Sequence, residues 1–536
     1  GRGPMNIQDS TLNIQRSRGL IDGMVQRLRN WREWELNPIV VKELRQAVRS
    51  WSVTGMLLLF LSVLFCTGLV MILGHALDVH ANQRLGANVF QAFIVILTFS
   101  SLVFIPLYVG TRLAAERQEN NLDLLYITTL TPHRIIRGKF FCGAYMAVLF
   151  FSACMPFMAF TNLLRGIDLP TVGFILVCLF LVVCAAVQCA IFIACLPVSK
   201  LFKILLGLGG FIVLNMVSGM LNAIFYTLMQ SGIVSMSGGV AGVHASSTFW
   251  TGFATAAGVI LAVVVLLHYM SVALISPPSA NRAFALRVYI TVVWLLSGIL
   301  SLYRVSISSN SELILPWAIT TFFLLSGALV VVISNNDELS VRVRRRIPSR
   351  AFLRILAFLF YNGAAGGLVW VALLLSLTAM VTMVVLDSRP SGWRELAAGA
   401  ATVLYLFAYA LTALLIHRKF FSRRPAKLAG ILMVFLAGAW ALLPNMVLFF
   451  LGRLTTHSFD TLQPGSIFNV WLARGFDSVL LHLNCGAAWL LLMLVLNARW
   501  FLRQLNHFQP VEAGAPAAQP PPAPAPPPPL PTVAAE

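Results

Sequence analysis

Charge is scarce in this sequence. Only 11% of its 536 residues are Asp, Glu, Lys or Arg, and just 19 of them are carboxylates. Soluble domains carry roughly 25% charged residues, so composition excludes an ordinary soluble enzyme. No carboxylate falls in the middle of an apolar run; Glu312 and Asp387 stand at run edges. A proton- or sodium-driven transporter keeps a carboxylate near the bilayer midplane, where its desolvation couples ion to substrate. Cysteine is scarce too. The eight cysteines (Cys66, Cys142, Cys154, Cys178, Cys184, Cys189, Cys195 and Cys485) all lie inside apolar runs. None has metal-ligand spacing with His or a place in an outer loop, so they read as small packing residues. A phosphate loop is missing: Gly138-Lys139 is followed by Phe140, with no upstream glycine at the required spacing. No His-Glu-x-x-His and no Ser-His-Asp framework is evident, and His268 and His482 read as packing groups. Catalytic, cofactor-binding and metal-ligating residues are therefore not expected, and neither is enzymatic activity in this chain.

Hydrophobic residues make up 58% of the chain, and its mean hydropathy is +0.83. Twelve apolar runs are long enough to cross roughly 30 Å of hydrocarbon. They cover residues 53–74, 88–110, 140–161, 172–195, 204–226, 250–275, 287–303, 313–333, 364–386, 397–416, 428–451 and 478–498. The fold class is all-α and polytopic, with about twelve transmembrane helices. With the amino terminus inside, most of the 38 Lys and Arg fall on the cytoplasmic side, as basic flanks dictate. Arg342, Arg344, Arg345, Arg346 and Arg350 share one such loop; Arg418, Lys419, Arg423, Arg424 and Lys427 share another. The net charge of +19 is thus a topology signal spread over many loops, not a nucleic-acid footprint. Both termini are placed in the cytoplasm, and the chain in the cell (inner) membrane, among its lipids.

Residues 1–52 read as cytoplasmic interface helices. No charged-then-apolar-then-small pattern opens the chain, so no cleaved signal peptide is expected. Leu20, Ile21, Met24, Val25, Leu28 and Trp31 mark one helical face, either of an interfacial helix or of a disordered arm. After Asn37-Pro38 a second helix places Val41, Leu44, Val48 and Trp51 towards the membrane. Its Lys42, Glu43, Arg45 and Arg49 are assigned to water. At the other end, eleven of the 26 prolines crowd between Pro510 and Pro531, so residues 501–536 are a Pro/Ala-rich disordered cytoplasmic tail.

Between the second and third runs lies residues 111–139, TRLAAERQENNLDLLYITTLTPHRIIRGK. Its charges cannot sit in hydrocarbon, so it must emerge on one side. Glu116 to Glu119 form a charged helical turn, and Asn120-Asn121 a break. Leu122, Leu125, Tyr126 and Thr129 share one helix face. Thr131-Pro132 starts the next helix as N-cap and first-turn proline. This segment resembles the cytoplasmic loop of ABC-2 type transporter permeases, through Glu116, Arg117, Glu119, Leu122, Leu125, Pro132, Gly138 and Lys139. It departs from the family pattern at Asn121, where Thr is usual, and in extra residues before Pro132. The resemblance implies a coupling helix that docks into a separate ATPase subunit. It assigns to coupling Glu116, Arg117, Glu119, Asn120, Asn121, Leu122, Asp123, Leu125, Tyr126, Pro132, Gly138 and Lys139. The string NPIVVKELRQAVRSW is similar to the connecting helix that opens many such permeases, and is equally readable as a generic juxtamembrane helix.

Two further expectations follow. Asn215, Ser218 and Asn222 in the fifth run could line a polar translocation path or bond to neighbouring helices. The charge-free stretch from Gln230 to Phe249 lies where the family has a re-entrant hairpin, between spans five and six. Residues 53–276 then form one six-helix half containing the coupling segment, and residues 277–500 a second half (6+6). In that half, residues 334–350, with Asp337-Glu338-Leu339, stand at the coupling position, an elbow helix spans 351–363, and the outer segment 452–476 again precedes span six. The function implied is the permease subunit of an ATP-driven exporter. It has no cofactor of its own; ATP is used by a partner ATPase dimer in trans. A 6+6 chain would supply a monomeric transmembrane unit; otherwise a homodimer is needed. The alternatives are a membrane scaffold that recruits partners through its basic loops and tail, and a secondary transporter.

Overall fold

The computed structural model describes residues 38–77, 85–118, 131–164, 167, 169–197, 199–231, 246–277, 279–308, 310–335, 339–386, 392–452, 464–472 and 475–510. The first interface helix, most of the coupling segment, residues 232–245, Asp337-Glu338 and residues 511–536 lie outside the described residues; the tail expected from 501 starts later, because 501–507 continue the last helix and Phe508 is buried. Among those described, the regular structure is helical throughout. Twelve helices are long and apolar enough to cross a membrane, one for each apolar run of the sequence. The chain divides into two compact units, Gly1–Ile275 and Ser276–Glu536.

In the first unit a short amphipathic helix, α1 (Pro38–Val48), precedes six spans. These are α2 (Trp51–Leu77), α3 (Leu85–Gln118), α4 (Pro132–Leu163), α5 (Leu169–Cys195), α6 (Lys200–Ser231) and α7 (Ser247–Ile275). The expected start of α4 holds: Thr131 is extended (φ −81°, ψ 149°) and Pro132 opens the first turn, where its missing N–H has no helical partner to lose. The central helix is α3, flanked by α4, α5 and α6. Its buried face includes Phe90, Phe93, Ile94, Leu97, Leu102 and Ile105. Thr98 and Ser101 sit in that face by donating to the backbone carbonyls of Ile94 and Leu97 at 2.6 Å, which satisfies both hydroxyls. α6 is peripheral, with no buried residue in its most apolar window.

The second unit has spans α8 (Phe284–Ser308), α9 (Leu315–Ile333), α12 (Ala364–Leu386), α13 (Gly392–Phe420), α14 (Lys427–Phe450) and α16 (Phe476–His507). Between α9 and α12 come a single turn, α10 (Val341–Arg344), and the elbow helix α11 (Ala351–Phe360). The elbow is pinned by Arg287 of α8, which is 2% exposed. Its guanidinium donates to the carbonyls of Leu359, Tyr361 and Gly363 at 2.8, 2.6 and 3.0 Å, across the junction between α11 and α12. Asn362 completes the corner, accepting from Ala283 N–H at 2.7 Å and donating to the Ala280 carbonyl at 3.1 Å.

Numbering the spans one to six within each unit, the same pairs adjoin in both: two with three, four and five; three with four and six; four with five and six; and one with two. Span one also meets span three in both. In the second unit it does so through Trp294 and Trp370, whose indoles donate to Thr378 and Thr291. The units differ in tightness. Span three packs firmly on span four in the first unit, whereas in the second α12 barely touches α13 and α16.

Residues 464–472, the described part of the segment before the last span of the second unit, fold back against its helices. A short helix, α15 (Ile467–Leu472), packs on α13, with Ser466, Asn469 and Val470 buried. Just before it, Tyr409 Oη donates to the Gly465 carbonyl at 2.8 Å and Trp440 Nε1 to the Pro464 carbonyl at 2.9 Å. Tyr409 lies 17 residues beyond Gly392 and Trp440 lies ten before Phe450, so residues 464–465 reach roughly 15–25 Å along the spans at 1.5 Å per residue. Backbone at such depth persists only if its polar groups are met by protein, as these carbonyls are. Trp489 of α16 packs behind both donors, its ring 4.8 Å from that of Tyr409 and 6.0 Å from that of Trp440.

Candidate coupling site

The charged residues of the first unit converge where the coupling segment leaves and rejoins the bundle. α3 runs without a break through Glu116, so the charged turn is the last turn of a span. α4 presents Ile135, Ile136, Gly138, Lys139 and Cys142 on its buried side. α1 turns Val40, Glu43 and Ala47 inwards, residues three and four apart on one helix face. Lys139, on that buried side of α4, would be unpaired charge without a partner. It has two: Nζ lies 2.6 Å from Glu43 Oε1 and 2.8 Å from Glu116 Oε1.

The assignment of Glu43 to water is therefore corrected: its side chain is 5% exposed, against 29% for Glu116. An isolated buried carboxylate is costly, and the Lys139 ammonium compensates it. A second latch runs beside the first. Arg112, one turn before Glu116, donates to Gln46 Oε1 at 3.1 Å and lies over the Tyr108 ring. Next along, His133 in the first turn of α4 packs its ring against His268 and Tyr269 of α7, at 5.7 and 5.8 Å. His133 thus packs with His268, one of the two histidines placed within spans; the other, His482, shares a hydrogen bond of 3.2 Å between Nδ1 and Tyr405 Oη.

Of the residues assigned to coupling, the structure places Glu116, Gly138 and Lys139 at this corner and Pro132 about two turns earlier on α4. Arg117 belongs to the last turn of α3. Glu119, Asn120, Asn121, Leu122, Asp123, Leu125 and Tyr126 lie outside the described residues. Glu43, Gln46 and Arg112 are the members that sequence reasoning missed. The signal for Glu43 was its register with Val40 and Ala47, outvoted by its charge.

The polar residues proposed for a path sit on α6 and bond within it. Asn215 Nδ2 donates to the Phe211 carbonyl and Asn222 Nδ2 to the Ser218 carbonyl, both at 2.8 Å. Neither bond reaches a neighbouring helix. Asn222 Oδ1 is buried with no hydrogen-bond partner among the described residues.

In the second unit the loop at the coupling position is committed to its own surroundings. Leu339 packs against the buried cluster of Ile347, Ala357 and Phe508. Ser340 caps α10 and donates to the Ser279 carbonyl at 2.9 Å. Among the described residues no His, Cys, Asp and Glu cluster could hold a metal ion.

The fold defines a multi-pass α-helical membrane protein. Comparison with protein families, with curated proteins and with solved structures returns no match.

Proposed function

We propose that this chain is the permease subunit of an ATP-driven exporter of the ABC-2 type, seated in the cell membrane with both termini in the cytoplasm. In this reading an ATPase dimer in trans receives the segment between α3 and α4, and its closure switches the spans between inward- and outward-facing states. The observation that carries the reading is the Glu43–Lys139–Glu116 triplet. It ties the last turn of α3, the start of α4 and the amphipathic α1 together at the base of that segment. A push on residues 119–130 is then delivered to α3, the central helix of the unit, rather than dissipated in a loop. The paired arrangement of spans in the two units supports a 6+6 chain that supplies the whole transmembrane unit. The packing of Leu339 supports an unequal pair, with the first-unit segment as the principal contact.

The test is recovery of ATPase with affinity-tagged permease at equal membrane expression. Leu125→Asp, on the apolar face of the segment, would bury an unpaired carboxylate in the ATPase cleft at a cost on the order of 4 kcal/mol. That is about a thousandfold in affinity. Insertion should be unchanged, because it depends on the flanking spans. Full recovery of the ATPase with Leu125→Asp would overturn the coupling assignment. A wild-type chain that brings down no ATPase would favour a scaffold or a secondary transporter.

A further inference from the structure

The loose packing of α12 opens a half-enclosed groove of about 1140 Å³ within the second unit. It is larger than the roughly 300–1,000 Å³ that suit a compact small molecule. Along α12 its wall reaches from Leu368 to Leu386, about 27 Å at 1.5 Å per residue, against roughly 30 Å of hydrocarbon. α9, α13 and α16 supply the other walls, chiefly Leu, Ala, Val and Phe. The hydroxyls in the wall are already used: Ser376, Thr378 and Thr382 donate to carbonyls of their own helix at 3.0, 2.7 and 2.8 Å. Between its two ends the wall is otherwise apolar, and a dry apolar space is filled by hydrocarbon rather than water.

The two ends differ in charge. Glu395, in the first turn of α13, lies at one end. At the other, Asn497 and Trp500 line the groove directly beneath Arg418. The Arg418 guanidinium stacks over the Trp500 ring at 4.6 Å and donates to Asn497 Oδ1 and to the Leu414 carbonyl. Lys419, Arg423, Arg424, Arg499 and Arg503 belong to the same end of the unit. The described acidic residues of this unit, Glu312, Glu395 and Asp477, all sit where spans begin at the opposite end.

We propose that this groove is a binding site for an anionic phospholipid, with its acyl chains between α12, α13 and α16 and its phosphate at the Arg418 end. Length and wall chemistry select the chains, and the excess of basic residues at the Arg418 end, against Arg304 and Arg394 at the other, selects the headgroup. The site does not depend on how, or whether, the protein is powered by ATP.

The full-length protein would be reconstituted into vesicles of equal phosphatidylglycerol and phosphatidylcholine, re-extracted in mild detergent and washed. Retained lipid would then be measured by mass spectrometry. Wild type should hold phosphatidylglycerol several-fold above the vesicle ratio. Gly399 lines the groove, and a Cβ built there meets nothing within 4 Å. Gly399→Phe should therefore fill the space and bring retained lipid down to background while the thermal midpoint holds. Ala400→Phe on the same wall serves equally if that variant fails to insert. Arg418→Gln should keep the lipid and lose the preference for phosphatidylglycerol. Retention at the vesicle ratio by wild type, preference for phosphatidylcholine, or undiminished retention in the filled variants would each overturn the proposal.

Discussion

Lys139 answers two carboxylates with one ammonium, and the exposures of its partners decide what each contributes. Glu43 has almost no water left, whereas Glu116 keeps part of its hydration. Removing the ammonium strands a buried charge. Lys139→Met should therefore cost about 3–5 kcal/mol, read as a lowered thermal midpoint in detergent. Glu116→Gln should cost less than half of that, because its carboxylate is partly hydrated. The double variant Glu43→Gln/Lys139→Met should recover much of the loss, since it removes the stranded charge together with its partner. Equal losses in Lys139→Met and Glu116→Gln would show that burial of Glu43 is not what sets the cost. None of this was legible locally. A helix reading places charged side chains in water because most are there, and the group that reverses the rule for Glu43 stands 96 residues further along the chain. The start of α4 was legible, because Thr131-Pro132 acts through its own backbone and needs no distant partner.

The element with the most unusual demands is the inward-folded stretch before α16. Gly465 has φ +107°, a conformation that L side chains rarely adopt, and a Cβ there would run into the Trp440 indole. Both conditions fail together in Gly465→Ala, so a loss of about 1–3 kcal/mol or more is expected, with the segment displaced outwards. A cysteine at Asn469, buried in the native fold, should react slowly with a membrane-impermeant thiol reagent and rapidly once Gly465→Ala is added. That comparison belongs in a background free of the eight native cysteines, and equal rates would count against the assigned depth of the segment. The sequence placed a long outer segment here from loop length alone. Its depth was not legible, because Tyr409 and Trp440 look like any aromatic residues on apolar spans until their donors are seen facing backbone carbonyls. The elbow α11 was legible as a helix over 351–363, but Arg287, which holds it, reads in sequence as one more basic flank.

At the scale of the whole molecule, the spans were the most legible feature, since crossing hydrocarbon constrains length and composition directly. The shared order of span contacts was not, because a lipid-facing helix accepts almost any apolar residue and leaves little sequence trace of its neighbours. The proposed orientation makes a direct prediction by cysteine labelling. Positions 237 and 456 should react from outside, and positions 118, 345 and 423 only from inside. External reaction at 118 would reverse the topology and remove the coupling segment from the ATPase side. The inward-folded stretch of the second unit also bears on how the chain is made. Synthesis delivers α13 and α14 before residues 464–465, so the phenol of Tyr409 and the indole of Trp440 are already in place when those carbonyls arrive. Trp489 follows on α16 and closes over them. A nascent chain halted before α16 would thus have its donors and acceptors matched but its aromatic backing missing, which makes the last span the one that locks the unit during biogenesis.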